Sequence, residues 1–314
     1  MVESNKLNFS LYIKPVNKLL LMGLAEKFST FCSNLSINQD KRSTISTRYK
    51  NITKRLNRDF WNYENDSSFS RYIGSYGRGT AINNFSDLDM VFILPNHLYA
   101  QFSQYTYNGQ SQLLQAVRQS ISNTFPSTSV GADGIVVQIA FSDNVTFELV
   151  PVFELDNHKF RHPVTANGGS WKIFDPLSEI TEIANMDDKV NGNLKRLCKM
   201  ARAWINEWSV PMGGLLADTL AYNFIKDYFY RDKSFFYYDY YTRDFLAFLV
   251  NQNQGQNYWY APGSNQYVYR NANFEYKAKR CYNIALEAIE YEGKGQEWSA
   301  NQKWREIYGY NFPS

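Results

Sequence analysis

Cysteine is scarce in this sequence: Cys32, Cys198 and Cys281 are the only three in 314 residues, and they stand far apart. An odd number at such spacing builds neither a disulfide framework nor a zinc site, and it suits a reducing compartment. Histidines are as few. His158 and His162 lie four apart, but Pro163 follows at once and no third ligand type stands near, so no metal site is read there. No run of 18 uncharged apolar residues occurs, which argues against a membrane-spanning helix. The opening MVESNKLNFSLYIK lacks the apolar run with basic flanks of a secretory leader. Net charge is small, +3 from 33 basic and 30 acidic residues, which does not suit a general polyanion-coating role. The expectation is a cytoplasmic protein with no membrane partner and no indicated nucleic-acid activator. Triplets such as Asn51-Ile52-Thr53 then carry no glycosylation meaning. What the chain does have is core-forming material: 44% of its residues are apolar, enough for one large domain or two ordinary ones.

Three stretches differ in pattern. From about Leu19 to Arg58, Leu20, Leu24, Phe28, Phe31, Ile45 and Ile52 recur at loosely helical intervals, which predicts one or two leading helices. From Phe69 to Phe153 short β-like runs, RYIGS, DLDMVFILP, GIVVQIAF and VTFELVPVF, are bounded by Gly, Pro, Asn and Asp, with a helical segment near Gln110 to Thr124. From Asp187 onward Leu194, Leu197, Met200, Ala201, Trp204 and Ile205 form one helical face. The polar, Gly-containing NQNQGQNYWYAPGSNQ reads as a surface loop inside that helical part. The fold class expected is α+β, with residues 1–186 forming a sheet-centred lobe with leading helices and residues 187–314 a helical lobe.

The chemistry concentrates in Tyr72 to Pro95, YIGSYGRGTAINNFSDLDMVFILP. A short strand ends at Gly74-Ser75, and further glycines at 77 and 79 leave the backbone free to turn its N–H groups toward an anion. Asp87-Leu88-Asp89 then opens a strand, where alternation sets both carboxylates on one face and Leu88, Met90, Phe92 and Leu94 on the other. Two carboxylates so close repel unless a divalent cation with a preference for oxygen joins them, which points to Mg2+ or Mn2+. In VTFELVPVFE, Glu148 lies between Phe147 and Leu149 and is the candidate third ligand. Glu154 and Asp156 are weaker candidates because Pro151 is expected to end the strand before them.

Gly-Ser, then Thr80, then the Asp-x-Asp strand closed by Pro95, then Phe-Glu-Leu-Val-Pro-Val-Phe, resemble the DNA polymerase β nucleotidyltransferase superfamily. They are most similar to the bacterial cGAS/DncV-like nucleotidyltransferases, with CdnE as the candidate clade. WKIFDPLSEI, NLKRLCKMARAW, VPMGGLLADTLAYNFI and KWREIYGYNFP extend the resemblance from about Phe69 to Pro313. Glu148 stands where the third metal ligand is usually Asp. Gly213-Gly214 stand where many relatives have a serine that touches the triphosphate.

The resemblance implies a polymerase-β-like core sheet and magnesium held by Asp87, Asp89 and Glu148. It also implies nucleoside triphosphates, GTP and/or ATP, contacted by Gly74, Ser75, Lys199 and Arg202. The implied product is a purine cyclic dinucleotide, 3′,3′-linked and formed through a linear intermediate, that acts on a separate effector in antiphage signalling. By spacing alone Lys195, Lys199 and Arg202 share one face of a helix. The helical lobe is large enough to wall off a pocket in which an intermediate closes on itself. Two other classes stay open: a linear nucleotidyltransferase that tails or adenylylates, and a catalytically silent nucleic-acid sensor, against which the retained aspartates count. Lys41, Arg42, Arg48, Lys50, Lys54, Arg55 and Arg58 form a basic stretch, read as a solvated helix face because apolar residues interleave it. Aromatics are dense in DYFYRDKSFFYYDYYTRDF; one is expected to stack on each nucleobase, and core packing takes most of them.

Overall fold

The computed structural model describes residues 18–85 and 87–314; the opening residues 1–14 and the side chain of Leu20, both used above, lie outside what is described. Two helices lead, α1 (Lys18–Asn34) and α2 (Gln39–Leu56). The side chain of Asn38 accepts a 2.8 Å hydrogen bond from the amide of Lys41 and so starts α2. The chain divides into two compact units, residues 37–181 and the remainder, with α1 grouped with residues 182–314. The expected first lobe, 1–186, had counted both helices. The reason for α1's placement is aromatic: Phe28 and Phe31 are fully buried. Phe28 meets Trp304 at 5.3 Å and Phe312 at 5.2 Å between ring centroids, and Phe31 meets Tyr308 at 4.6 Å.

Among the described residues, the unit spanning 37–181 contains a seven-stranded mixed sheet. Its elements in chain order are β1 (Ser70–Tyr72), the single turn α3 (Gly74–Gly77), β2 (Asp87–Ile93), α4 (Asn96–Ser103), α5 (Gly109–Ser122), β3 (Ser129–Asp133), β4 (Val136–Ala140), β5 (Thr146–Glu154), β6 (Phe160–Val164) and β7 (Ser170–Phe174). The strand order is β1-β2-β5-β4-β3, with β6 paired to the last residues of β5 and to β7. β2 and β5 run parallel, side by side. One face carries Leu88, Met90, Phe92, Phe147 and Leu149, packed on Ile45, Ile52 and Leu56 of α2 and on Leu113, Val117 and Ile121 of α5. The other carries Val91, Ile93, Val150 and Val152, packed with Ile73, Phe160, Leu177 and Ile180. Leu177 and Ile180 belong to α6 (Pro176–Lys189), within which the division between the units falls. Both faces of the β2–β5 pair are therefore buried for most of their length, as parallel strands require.

The expectation that Pro151 ends its strand is corrected: β5 continues through it to Glu154, and Pro151 pairs with Phe92. The carbonyl of Val152 accepts from the amide of Leu94 at 2.8 Å, so Val152 bonds toward β2 and Pro151 faces the opposite edge. There the pairing of β4 has stopped at Leu149 and that of β6 begins at Phe153. A residue with no N–H costs nothing at that gap.

The helical unit continues with α7 (Asn193–Trp208), α8 (Gly214–Ile225), α9 (Tyr238–Val250), α10 (Glu275–Gly293) and α11 (Glu297–Tyr308). In α7 Leu194, Leu197, Met200, Ala201 and Trp204 are buried as the periodicity foretold, while Ile205 is half-buried. The segment read as a loop holds a hairpin, β8 (Tyr258–Tyr260) and β9 (Tyr267–Tyr269). Trp259 and Val268 are buried on one side of it, and four tyrosines are exposed on the other. Tyr-Trp-Tyr and Tyr-Val-Tyr are alternating strands around a Pro-Gly turn, and their polar flanks masked the signal. Among the described residues no helix is long and apolar enough to cross a membrane.

Candidate active site

The site residues of the sheet unit come together through strand register. Asp89 stands directly across from Glu148 on the adjacent parallel strand, and Asp87 across from Thr146. Cross-strand partners share a face, so Asp87, Asp89 and Glu148 lie on one side of the sheet, Asp87 exposed and the other two partly exposed. Their neighbours Leu88 and Phe147 point the other way and are fully buried. Those two side chains anchor the strand ends, so the backbone sets where the carboxylates stand.

Gly74 is fitted to Asp89. Its φ of +58° is left-handed, and a Cβ placed on it would overlap Oδ2 of Asp89; both conditions demand glycine. The turn it opens is closed by its own amides: Gly77 N–H donates to Ile73 at 2.9 Å and Arg78 N–H to Gly74 at 3.0 Å. The carbonyl of Ser75 accepts from the amides of Thr80 at 2.9 Å and Ala81 at 3.1 Å. Gly74 and Ser75 thus sit beside the carboxylates in a tightly tied loop. Ile73 N–H donates to Asp89 O at 3.0 Å and joins the loop to the strand.

Glu154 does not serve as an alternative third ligand. It lies six residues beyond Glu148 on the same strand, about 20 Å away at the rise of a β-strand. Its carboxylate meets His158 Nδ1 at 3.2 Å instead, and Asp156 follows it beyond the strand end.

The donor set fits a hard divalent cation in kind, since all three side chains offer carboxylate oxygen on one face. As the side chains stand, no group of three His, Cys, Asp or Glu among the described residues converges on a metal-sized point. The carboxylate of Glu148 is engaged instead by Gln138, whose Nε2 donates to Oε1 at 2.9 Å.

Lys199 and Arg202 belong to α7 in the helical unit. Arg202 acts as an internal strut, because its Nη2 donates to Asp218 Oδ2 at 2.7 Å and to the carbonyl of Gly214 at 3.0 Å. Asp218 is fully buried. A Cβ on Gly214 would collide with the guanidinium, so a glycine there leaves room for this pair. Lys195 is drawn to Asp187 at 3.4 Å. Lys199 lies close enough to Cys32 for its charge to act on the thiol; burial dominates there and pushes the Cys32 pKa up to about 12. All three cysteines are buried thiols.

The model of the Second Messenger Oligonucleotide or Dinucleotide Synthetase (SMODS) domain matches residues 22–187, more than half of the chain. The chain belongs to that family. A probable cyclic nucleotide synthase of Bacillus cereus (strain VD146) is 26% identical over 179 residues, 54% of this chain and 52% of that protein. The chain thus spans about half the length of the curated relative it matches. The structure of Escherichia coli CdnC in complex with HORMA-deltaN superposes with a TM-score of 0.64 at 13% identity, covering 92% of this chain and 98% of that one. That of the Elizabethkingia meningoseptica CdnE cyclic dinucleotide synthase with GTP and Apcpp gives 0.57 at 15% identity, covering 82% and 97%. These likenesses establish the fold, α+β of the polymerase-β-like kind, and do not single out the CdnE clade.

Sequence reasoning missed three residues around this candidate site. Arg78, buried one turn after Gly74, donates from Nη1 to Glu179 Oε2 at 3.2 Å and ties the loop to α6. Lys41, first of the basic stretch, donates to the carbonyls of Asn83 at 2.7 Å and Phe85 at 3.2 Å, with its ammonium 4.2 Å from the Phe85 ring centroid. It thereby holds the segment that leads into Asp87, and its desolvation lowers its pKa. Other cations of the stretch meet neighbouring acids: Arg48 meets Asp143, Lys54 Glu64 and Arg55 Asp59. The third missed residue is Gln138. The one available signal was position: Arg78 falls inside the glycine loop, and Gln138 is the polar residue in the strand VVQIA.

Proposed function

We propose that this chain is a template-independent nucleotidyltransferase that joins nucleoside triphosphates, GTP and/or ATP, into a cyclic dinucleotide through a linear intermediate. The observation that carries the reading is the register of Asp89 against Glu148 on adjacent parallel strands, with Asp87 on the same face and Gly74 fitted against Asp89. Asp87, Asp89 and Glu148 would hold Mg2+, or Mn2+ in its place. Bound there, such an ion lowers the pKa of a sugar hydroxyl and offsets charge on the departing pyrophosphate. The hydroxyl loses its proton to solvent, its oxygen forms a bond to the α-phosphorus, the α–β phosphoanhydride bond breaks, and pyrophosphate leaves. A second pass of the same step closes the ring. Gly74 and Ser75 border the carboxylates and are the proposed phosphate contacts; Lys199 is proposed as a further nucleotide contact. Arg202 is the weaker of the proposed nucleotide contacts, since Asp218 already engages it.

The family description, the Bacillus relative's designation and the GTP and Apcpp in the CdnE structure support nucleoside triphosphate substrates and a second-messenger product. A purine-containing, 3′,3′-linked ring, a cytoplasmic location and a separate effector protein in antiphage signalling complete the proposal. The test is product analysis by mass spectrometry after incubation with all four nucleoside triphosphates and Mg2+. A phosphatase-resistant cyclic dinucleotide is the expected result. A ladder of linear products, degraded by phosphatase followed by a 3′-exonuclease, would show a tailing enzyme, and no product with either Mg2+ or Mn2+ would show a silent binding module.

A further inference from the structure

Glu148 stands between two partners, Asp89 across one side of β5 and Gln138 across the other. Gln138 is itself exposed, but Val137 and Ile139 on either side of it are fully buried, so its backbone is fixed by the core. From that fixed point its amide donates to one carboxylate oxygen of Glu148 at 2.9 Å. We infer that Gln138 is a positioning residue that orients the Glu148 carboxylate for the divalent cation; the inference rests on the reading of Asp87, Asp89 and Glu148 as metal ligands.

Two physical arguments support it. Glutamate carries one more rotatable bond than aspartate, so a Glu ligand must give up more side-chain freedom on binding, and a standing hydrogen bond removes part of that freedom beforehand. A ligating carboxylate is oriented by the groups that bond to it. Moreover, an amide is neutral. A lysine or arginine at this position would fix Glu148 equally well, but it would cancel the negative charge that the cation needs. Glutamine occupies one oxygen, Oε1, and leaves the charge of the carboxylate intact.

The test is Mn2+ binding to the intact protein without nucleotide, followed by electron paramagnetic resonance, for the wild type, Q138A, E148D and the double variant. Q138A should weaken Mn2+ binding about tenfold while leaving the melting temperature unchanged, because the side chain is exposed. With E148D the shorter carboxylate no longer reaches the amide, so adding Q138A should change affinity by less than about twofold. Wild-type affinity in Q138A overturns the inference, as does a full loss that persists in the E148D background. If the wild type and D87N/D89N bind Mn2+ equally, the metal-site reading itself fails, which is a separate result.

Discussion

Two clusters of charge invite comparison, the carboxylates at the start of β2 and within β5, and the cations along α7. Asp87 with Asp89, and the cations of α7, were legible as same-face groups from spacing alone, whereas register brought Glu148 to the aspartates, and the structure treats the two clusters differently. The carboxylates are solvent-accessible and set by strand register, with fully buried Leu88 and Phe147 beneath them. Arg202 is only 14% exposed and is paired with an Asp218 that is fully buried. A charge whose place is set by backbone can stay available to a ligand. A charge whose place is set by a buried counter-charge is part of the scaffold, because removing either partner strands the other in low dielectric. Spacing on a helix or strand says which residues share a face; it does not say what covers that face.

Three substitutions test this contrast. Replacing Asp87 and Asp89 together by Asn should lower turnover on the order of a thousandfold or more, since the charge that holds the cation is gone. Unfolding should change little, and a steady-state product assay beside a thermal melt checks both. Arg202→Met should do the reverse of this in kind: stability should fall by about 3–5 kcal/mol as buried Asp218 loses the guanidinium that faces it. Denaturant unfolding reads the loss, and adding Asp218→Leu should restore part of it. A change below about 1 kcal/mol would place Arg202 with the surface cations and reopen its role at the triphosphate. The smallest effect is expected from Lys41→Met, which removes two hydrogen bonds to the segment entering Asp87. A cost of about 1 kcal/mol and a several-fold loss of turnover with little change in KM are the expected outcome. Unaltered kinetics would show that β2 alone places Asp87.

Much of the fold was readable locally. The helical interval in α7 and the segment that became α5 depend on periodicity, and periodicity is written in neighbouring residues. The Asp-x-Asp strand and Gly74 were readable for a related reason: alternation sets a strand's faces, and a left-handed backbone favours glycine. What was not readable depended on partners far along the chain. Pro151 sits within β5 only because two neighbouring strands leave a gap opposite it. α4, Asn96–Ser103, follows Pro95 with a single buried apolar anchor, Phe102, too little to show a helical period. The burial of Asp218 against Arg202, the hold of Lys41 on the carbonyls of Asn83 and Phe85, and the bond from Gln138 to Glu148 join residues 16, 42, 44 and 10 positions apart. Which types of residue carry the chemistry, and on which face of their own element, follows from local sterics and periodicity. Which of those charges stay solvent-accessible and which become internal struts was decided only when the chain folded, because burial and counter-charge are properties of the whole packing and not of any one segment.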